Sequence, residues 1–234
     1  VKIYTKGIPD STFTQLNFST TYRSGSSFKD FFQAEHGKLH WTGFNDGYNN
    51  LPSSFPYNLT TFQPTDEYSL SDAGQALNNN WVPNKVNSLL DKSFAVTHGH
   101  KMKFNYFYFC NLTSISYSNS RSIYNSTRSD YNMFDSLNNK SSFIYTFNDA
   151  QYTQNIRSSI IHNWAFRFSA NNSIEFKNMF TAFSTAQYVN RTGYDFEFNY
   201  APNNHSFNQV YRGLYSGQLV GKHTFNEDQS RISW

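Results

Sequence analysis

The sequence predicts an all-β protein, an antiparallel up-and-down sheet forming part of a transmembrane β-barrel, with short turns at one end and long loops at the other. Three observations predict it. The first is composition: 24 Phe and 17 Tyr stand against only 29 Leu, Ile and Val, the reverse of a soluble aliphatic core. Asn, Ser, Thr, Tyr and Phe are mediocre helix formers, whereas aromatics interleaved with small polar residues suit a pleated sheet with one greasy and one wet face. The second is period-2 alternation, the mark of a half-exposed strand. The third is the order of the connections, which runs long, short, long, short along the chain.

The strands follow in order. From Thr12 to Tyr22, Leu16, Phe18 and Tyr22 share a face opposite Gln15, Asn17, Ser19 and Thr21. A weaker strand covers Ser88–Thr97. Between Phe104 and Tyr117, Phe104, Tyr106, Tyr108, Cys110 and Leu112 oppose Asn105, Phe107, Phe109, Asn111 and Thr113. The clearest case is Ile156–Phe168, where Ile160, His162, Trp164, Phe166 and Phe168 oppose Arg157, Ser159, Asn163 and Arg167. Ile174, Phe176, Phe180 and Ala182 then oppose Glu175, Lys177 and Thr181. From Gln209 to Phe225, Tyr211, Tyr215, Leu219 and Phe225 oppose Arg212, Ser216, Gln218 and Lys222, and a last strand begins at Arg231. Short turns fall near His98–Lys101, Ser169–Asn172 and Asn226–Ser230; long irregular stretches occupy Arg23–Asn87, Ser118–Phe147 and Asn190–Phe207. In a barrel the apolar face meets lipid and the polar face the lumen, so Ile160, Trp164, Phe166, Phe176 and Phe180 should face lipid and Arg157, Arg167 and Lys177 the lumen.

Several function classes are disfavoured. The net charge of +3 is small and dispersed, without a Lys/Arg run longer than two, so nucleic acid is not an expected partner. The single cysteine, Cys110, rules out an intramolecular disulfide framework or a Cys-rich zinc module. No apolar stretch is long enough for a transmembrane helix, and no signal-peptide pattern opens the chain. No GxSxG, HExxH, GxxxxGK[ST] or CxxC motif occurs, and the acids are few and scattered, so neither a catalytic residue nor a cofactor is expected. His98 and His100 share a strand face and His36 and His40 a helical one, but flanking a turn and lining a loop explains them without a metal. Asn-x-Ser/Thr recurs at Asn58, Asn111, Asn125 and Asn190, as an Asn/Ser/Thr-rich chain produces by chance.

The loop Phe28–Pro56 holds Phe31, Phe32, Trp41, Phe44, Tyr48 and Phe55 among Gly, Asn and Asp. Such rings either form a binding surface or pack among themselves to order the loop. On the binding reading, Trp41, Phe44, Asp46 and Tyr48, flanked by Gly43 and Gly47, are the candidate extracellular ligand contacts.

The chain resembles the TonB-dependent outer-membrane receptors of the Bacteroidetes type. The opening Val1-Lys-Ile-Tyr-Thr-Lys-Gly-Ile-Pro9 is similar to the last strand of that family's plug domain. Phe28-Lys-Asp-Phe-Phe, followed by Gly37-Lys-Leu-His-Trp-Thr-Gly-Phe-Asn-Asp-Gly47 and Leu51-Pro52, is similar to its first long loop, usually close to Gly-Lys-x-Asp-Trp-Leu-Gly-Phe-Asp-Asp-Gly and then Arg-x-Leu-Pro. Here His40 stands for the Asp, Thr42 for the Leu, Asn45 for the first paired Asp, and the Arg is missing, which weakens any cation-binding role for the loop. Tyr211–His223 and the following turn into Trp234 are similar to an interior barrel hairpin.

The resemblance implies that residues 1–9 end a plug domain and residues 10–234 are the N-terminal part of a larger barrel, about seven strands of it. It further implies a Gram-negative outer-membrane location in contact with lipid. The implied function is energy-coupled uptake through the TonB system, acting on the plug. The extracellular substrate would be an iron chelate, cobalamin, a glycan or a peptide. The alternative from the residues alone is a secreted or surface-attached β-sandwich that binds glycans through exposed Trp and Tyr.

Overall fold

In the computed structural model, residues 9, 11–53, 55, 67–78, 80–225 and 230–234 are described. About 65% of the chain is strand. The strands are β1 (Phe13–Thr21), β2 (Asp30–Gln33), β3 (Asn84–Asn87), β4 (Asp91–Lys103), β5 (Tyr108–Tyr131), β6 (Phe143–Arg167), β7 (Asn172–Asp195), β8 (Asn203–Phe225) and β9 (Ser230–Ser233), with one α-helix, α1 (Glu67–Ala76). Seven strands form an antiparallel meander in the order β1-β4-β5-β6-β7-β8-β9, and β2 and β3 pair separately. The predicted all-β, up-and-down architecture is therefore present. Among the described residues β1 and β9 do not pair with each other, and β8 meets β9 and the following Trp234 only over Gly221–Phe225.

Opposed residues on neighbouring strands share a face, so the register sorts the side chains. One unbroken row runs Leu16, Val96, Ile115, Ile160, Phe180, Tyr215 across six strands. The adjacent row on the same face begins Phe18, Phe94, Tyr117. The other face carries rows such as Asn17, Ala95, Ser116, Ser159, Thr181. Ile160, Trp164, Phe166, Phe176 and Phe180 do share the apolar face, and Arg157, Arg167 and Lys177 the polar one. A polar row interrupts the apolar face, but its imidazoles are paired sideways: Thr14 Oγ1 lies 2.9 Å from His98 Nδ1 and Thr113 Oγ1 lies 2.9 Å from His162 Nδ1.

Between Phe104 and Tyr117 the face assignment differs from expectation. Phe109 opposes Phe166 on the apolar face, whereas Cys110 and Leu112 oppose Ala165 and Asn163 on the polar one and are buried there. The turn lies at Phe104–Phe107, closed by a Phe104 N–H donating to the Phe107 carbonyl at 2.8 Å, and not at His98–Lys101. Gly99 reads as a turn residue but serves as a strand residue facing Phe13: a Cβ there would sit 2.4 Å from the Phe13 ring.

The strands are also longer than expected. β5 to β8 have 24, 25, 24 and 23 residues, or roughly 80 Å at about 3.3 Å per residue. Most of Ser118–Phe147 and Asn190–Phe207 is therefore strand, leaving tips at 132–142 and 196–202. The Ser169–Asn172 turn is present, with Phe168 N–H donating to the Asn172 carbonyl at 3.0 Å. The Asn226–Ser230 turn, apart from Ser230, and the proposed plug strand, apart from the buried Pro9, lie outside the described residues.

Candidate functional site

The long connection after β1 does not project past the strand ends. Residues 23–53 form a strap folded back over the loop-proximal half of the apolar face. Its first anchor is electrostatic: the Arg23 guanidinium meets the Asp91 carboxylate at 2.9 Å, and Asp91 also accepts from the Arg121 backbone N–H at 2.9 Å. The β2–β3 ribbon follows. It presents Phe31, only 1% exposed, edge-on to Tyr152 with ring centroids 5.7 Å apart. The Arg121 guanidinium covers the Phe31 ring at 5.1 Å, a cation–π contact that fixes the ribbon on the sheet.

The motif segment Gly37–Gly47 is then folded by its own residues. The Asp46 carboxylate accepts from the backbone N–H of Leu39 at 3.0 Å and of Tyr48 at 3.2 Å, and these bonds hold it below the usual carboxylate range. Gly37 leaves room for that carboxylate: a Cβ there would sit 2.0 Å from an Asp46 oxygen. His40 is buried, with Nδ1 3.3 Å from the Tyr211 hydroxyl and Nε2 3.4 Å from Gln154 Oε1. The Trp41 and Thr42 carbonyls accept from the hydroxyls of Tyr117 at 2.8 Å and Ser158 at 2.6 Å. Gly43 turns the chain with φ of 85°, the left-handed region that favours glycine, and lays its backbone against the fully buried Ile156.

The strap, the segment after α1 and the sheet together line a cleft of about 340 Å³, at the small end of the roughly 300–1,000 Å³ usual for ligand pockets. The strap supplies Phe32, His36 and Tyr48, the segment after α1 supplies Trp81, and the sheet supplies Tyr152, Tyr188 and Phe207. The rings form a continuous wall, with centroid separations of 5.8 Å for Tyr152–Tyr188, 5.0 Å for Tyr188–Phe207 and 6.2 Å for Trp81–Phe207. Among the described residues that line the cleft, eight Asn and Gln stand between the rings, and there is neither Lys nor Arg.

Of the four ligand contacts expected from sequence, only Tyr48 lines the cleft. Phe44 stacks on Phe180 of the sheet, with centroids 5.7 Å apart and planes 10° apart, and Trp41 lies 6.4 Å from Tyr117. Asp46 folds the loop. Phe44 thus packs the strap onto the sheet, an arrangement outside the two alternatives weighed from sequence, while Trp41 touches Tyr117 and keeps 63% of its surface exposed. Trp81, Tyr152, Tyr188 and Phe207 carry no motif, and only their convergence in space marks them. Among the described residues there is no group of three or more metal-ligating side chains.

His36 and His40 stack at 3.7 Å and 13°. Burial, the neighbouring His40 and Arg121 push His36 down to about 4, and burial also lowers His40. A histidine whose folded pKa lies below its unfolded value near 6.5 contributes full stability above that value. The contribution is lost as pH falls from 6.5 towards 4, by up to about 3 kcal/mol for His36. The thermal midpoint should therefore fall over that window, and His36→Phe, which keeps the stack, should flatten the fall. An unchanged slope in the variant would show that other groups drive the acid response.

No known protein family matches the chain, and no characterised protein or solved structure shows significant similarity to it.

Proposed function

We propose that the chain belongs to an outer-membrane β-barrel receptor that takes up an extracellular ligand by the TonB-dependent route. The supporting observation is the turn-proximal half of the apolar face. Leu16, Phe18, Phe94, Val96, Ile115, Ile160, Trp164, Tyr215 and Leu219 all lie on it and are all exposed. A soluble protein rarely leaves so large a contiguous apolar surface uncovered, whereas lipid covers it without further structure. A span needs only about 9–11 strand residues, so strands of 23–25 residues also carry a wall well beyond the bilayer. The open edges of β1 and β8 are then occupied by further barrel strands, because unpaired strand edges are not tolerated in lipid.

In this reading the polar face lines the lumen and the tips at 132–142 and 196–202 lie outside the cell. The substrate is one of the classes named for the family. Cell fractionation tests the proposal: the full-length protein should sediment with outer membranes and need detergent for release, and it should bind the periplasmic domain of TonB. Recovery in the soluble fraction would favour the secreted glycan-binding β-sandwich, although the only second sheet among the described residues is the two-stranded β2–β3 ribbon.

A further inference from the structure

We propose that the cleft is a binding site for an uncharged saccharide, placed outside the lumen; the location rests on the receptor reading, the ligand class does not. Three features carry the ligand class. The wall is aromatic, and Trp81 keeps 64% of its surface exposed at the rim, offering an indole face on which the apolar side of a sugar ring stacks. The polar part of the wall is made of amides: eight Asn and Gln residues, Gln209 among them, line the cleft among the described residues. Each side-chain amide both donates and accepts, as sugar hydroxyls do. Finally, among the described residues that line the cleft the only acid is Glu35, already bonded to Asn80, and there is neither Lys nor Arg. Anionic chelates, phosphates and acidic sugars are normally held by Arg or Lys.

The location follows from the register. Tyr152, Tyr188 and Phe207 oppose one another on β6, β7 and β8, and they share parity with Ile160 and Phe180 of the apolar row. The cleft therefore opens on the lipid-side wall, above the apolar band, and not into the lumen. A sugar bound there comes either from a free oligosaccharide or from the headgroup of a glycolipid in the outer leaflet.

The test uses the full-length protein in a detergent without a sugar headgroup. Maltotriose, cellotriose, chitotriose and mannotriose are titrated calorimetrically beside trigalacturonate, and flotation is measured with vesicles carrying digalactosyl diacylglycerol. At least one neutral sugar should bind in one of the two arms, with trigalacturonate weaker by roughly tenfold or more. Trp81→Ala and Gln209→Leu should each weaken binding by roughly tenfold, while Leu137→Ala, 94% exposed at the tip 132–142 and outside both cleft and strap, leaves it unchanged. Binding confined to vesicles assigns the glycolipid, and binding of free trisaccharides the soluble glycan. The proposal is overturned if no neutral sugar binds in either arm, or if binding survives Trp81→Ala intact. Were the protein soluble without detergent yet bound sugar through Trp81, the receptor reading would fall and the sugar site would stand.

Discussion

Ile160→Arg is expected to destabilise the full-length protein in lipid vesicles by about 2–4 kcal/mol, the usual cost of a cation on the lipid face of a barrel near the bilayer midplane. Ile160 sits in the middle of the row Leu16, Val96, Ile115, Ile160, Phe180, Tyr215 and is 47% exposed on that face. An arginine there displaces no packed neighbour, so the loss measures the surroundings of the sheet and not a cavity. Ser216→Arg places the same charge one residue along from Tyr215, on the polar face, and should change stability by well under 1 kcal/mol. Urea unfolding from vesicles reads both. Equal tolerance of the two arginines would mean that the apolar row faces water or a protein partner, and the membrane reading would fail.

The second large effect concerns the strap. Ile156 is 0% exposed, and its Cγ2 lies 3.5 Å from the position a Cβ on Gly43 would take. Ile156→Ala should therefore open a void beneath the strap and cost about 2–5 kcal/mol, with Ile156→Val costing about 0.5–1.5 kcal/mol. The loss should be local, because the ladders of β6 with β5 and β7 do not depend on that side chain. Proteolysis within residues 23–53 should accelerate while the strands stay protected. Since Phe32, His36 and Tyr48 reach the cleft only through the strap, ligand binding should fall with it. Unchanged protection of the strap would show that Arg23–Asp91, His40 and the hydroxyl–carbonyl bonds hold it without Ile156.

The legible part of the fold was the part with one apolar face. Ile160, Trp164, Phe176 and Leu219 alternate with polar residues, and this is where strand positions and faces were read correctly. The loop-proximal halves are hard to read because much of their sequence is polar in both parities, although the strap covers one of their faces. Ser118–Arg128, for instance, alternates serine and asparagine with occasional Arg, Ile and Tyr, which carries no period-2 hydrophobic signal although the ladder runs through all of it. Gly99 misled because a glycine suggests a turn, whereas here it makes room for a ring on the neighbouring strand. Helix α1 has a weak amphipathic pattern in an Asn- and Ser-rich stretch and was not separable from loop. In the motif segment, composition pointed to a ligand-facing loop, but backbone capping by Asp46 and docking of Phe44 depend on long-range folding. The cleft was the least legible feature, since Trp81, Tyr152, Tyr188 and Phe207 lie far apart in sequence and meet only through strand register.

The register itself restricts how the chain can change in length. β6 pairs with β7 from Tyr145↔Asp195 to Arg167↔Ser173, and β7 with β8 from Asn172↔His223 to Thr192↔Asn203, each at one constant offset. An insertion or deletion of one residue within these spans would turn every later side chain of that strand to the other face, sending Ile160 or Phe180 among the serines and the serines into the apolar row. Length variation is therefore confined to the tips at 132–142 and 196–202, or to paired changes that restore parity. The one register shift in the β5–β6 ladder, between Asp130 and Tyr131, lies next to such a tip, where the ladder ends on the Tyr131–Phe143 pair with ring centroids 4.5 Å apart and no strand residues follow to be turned over.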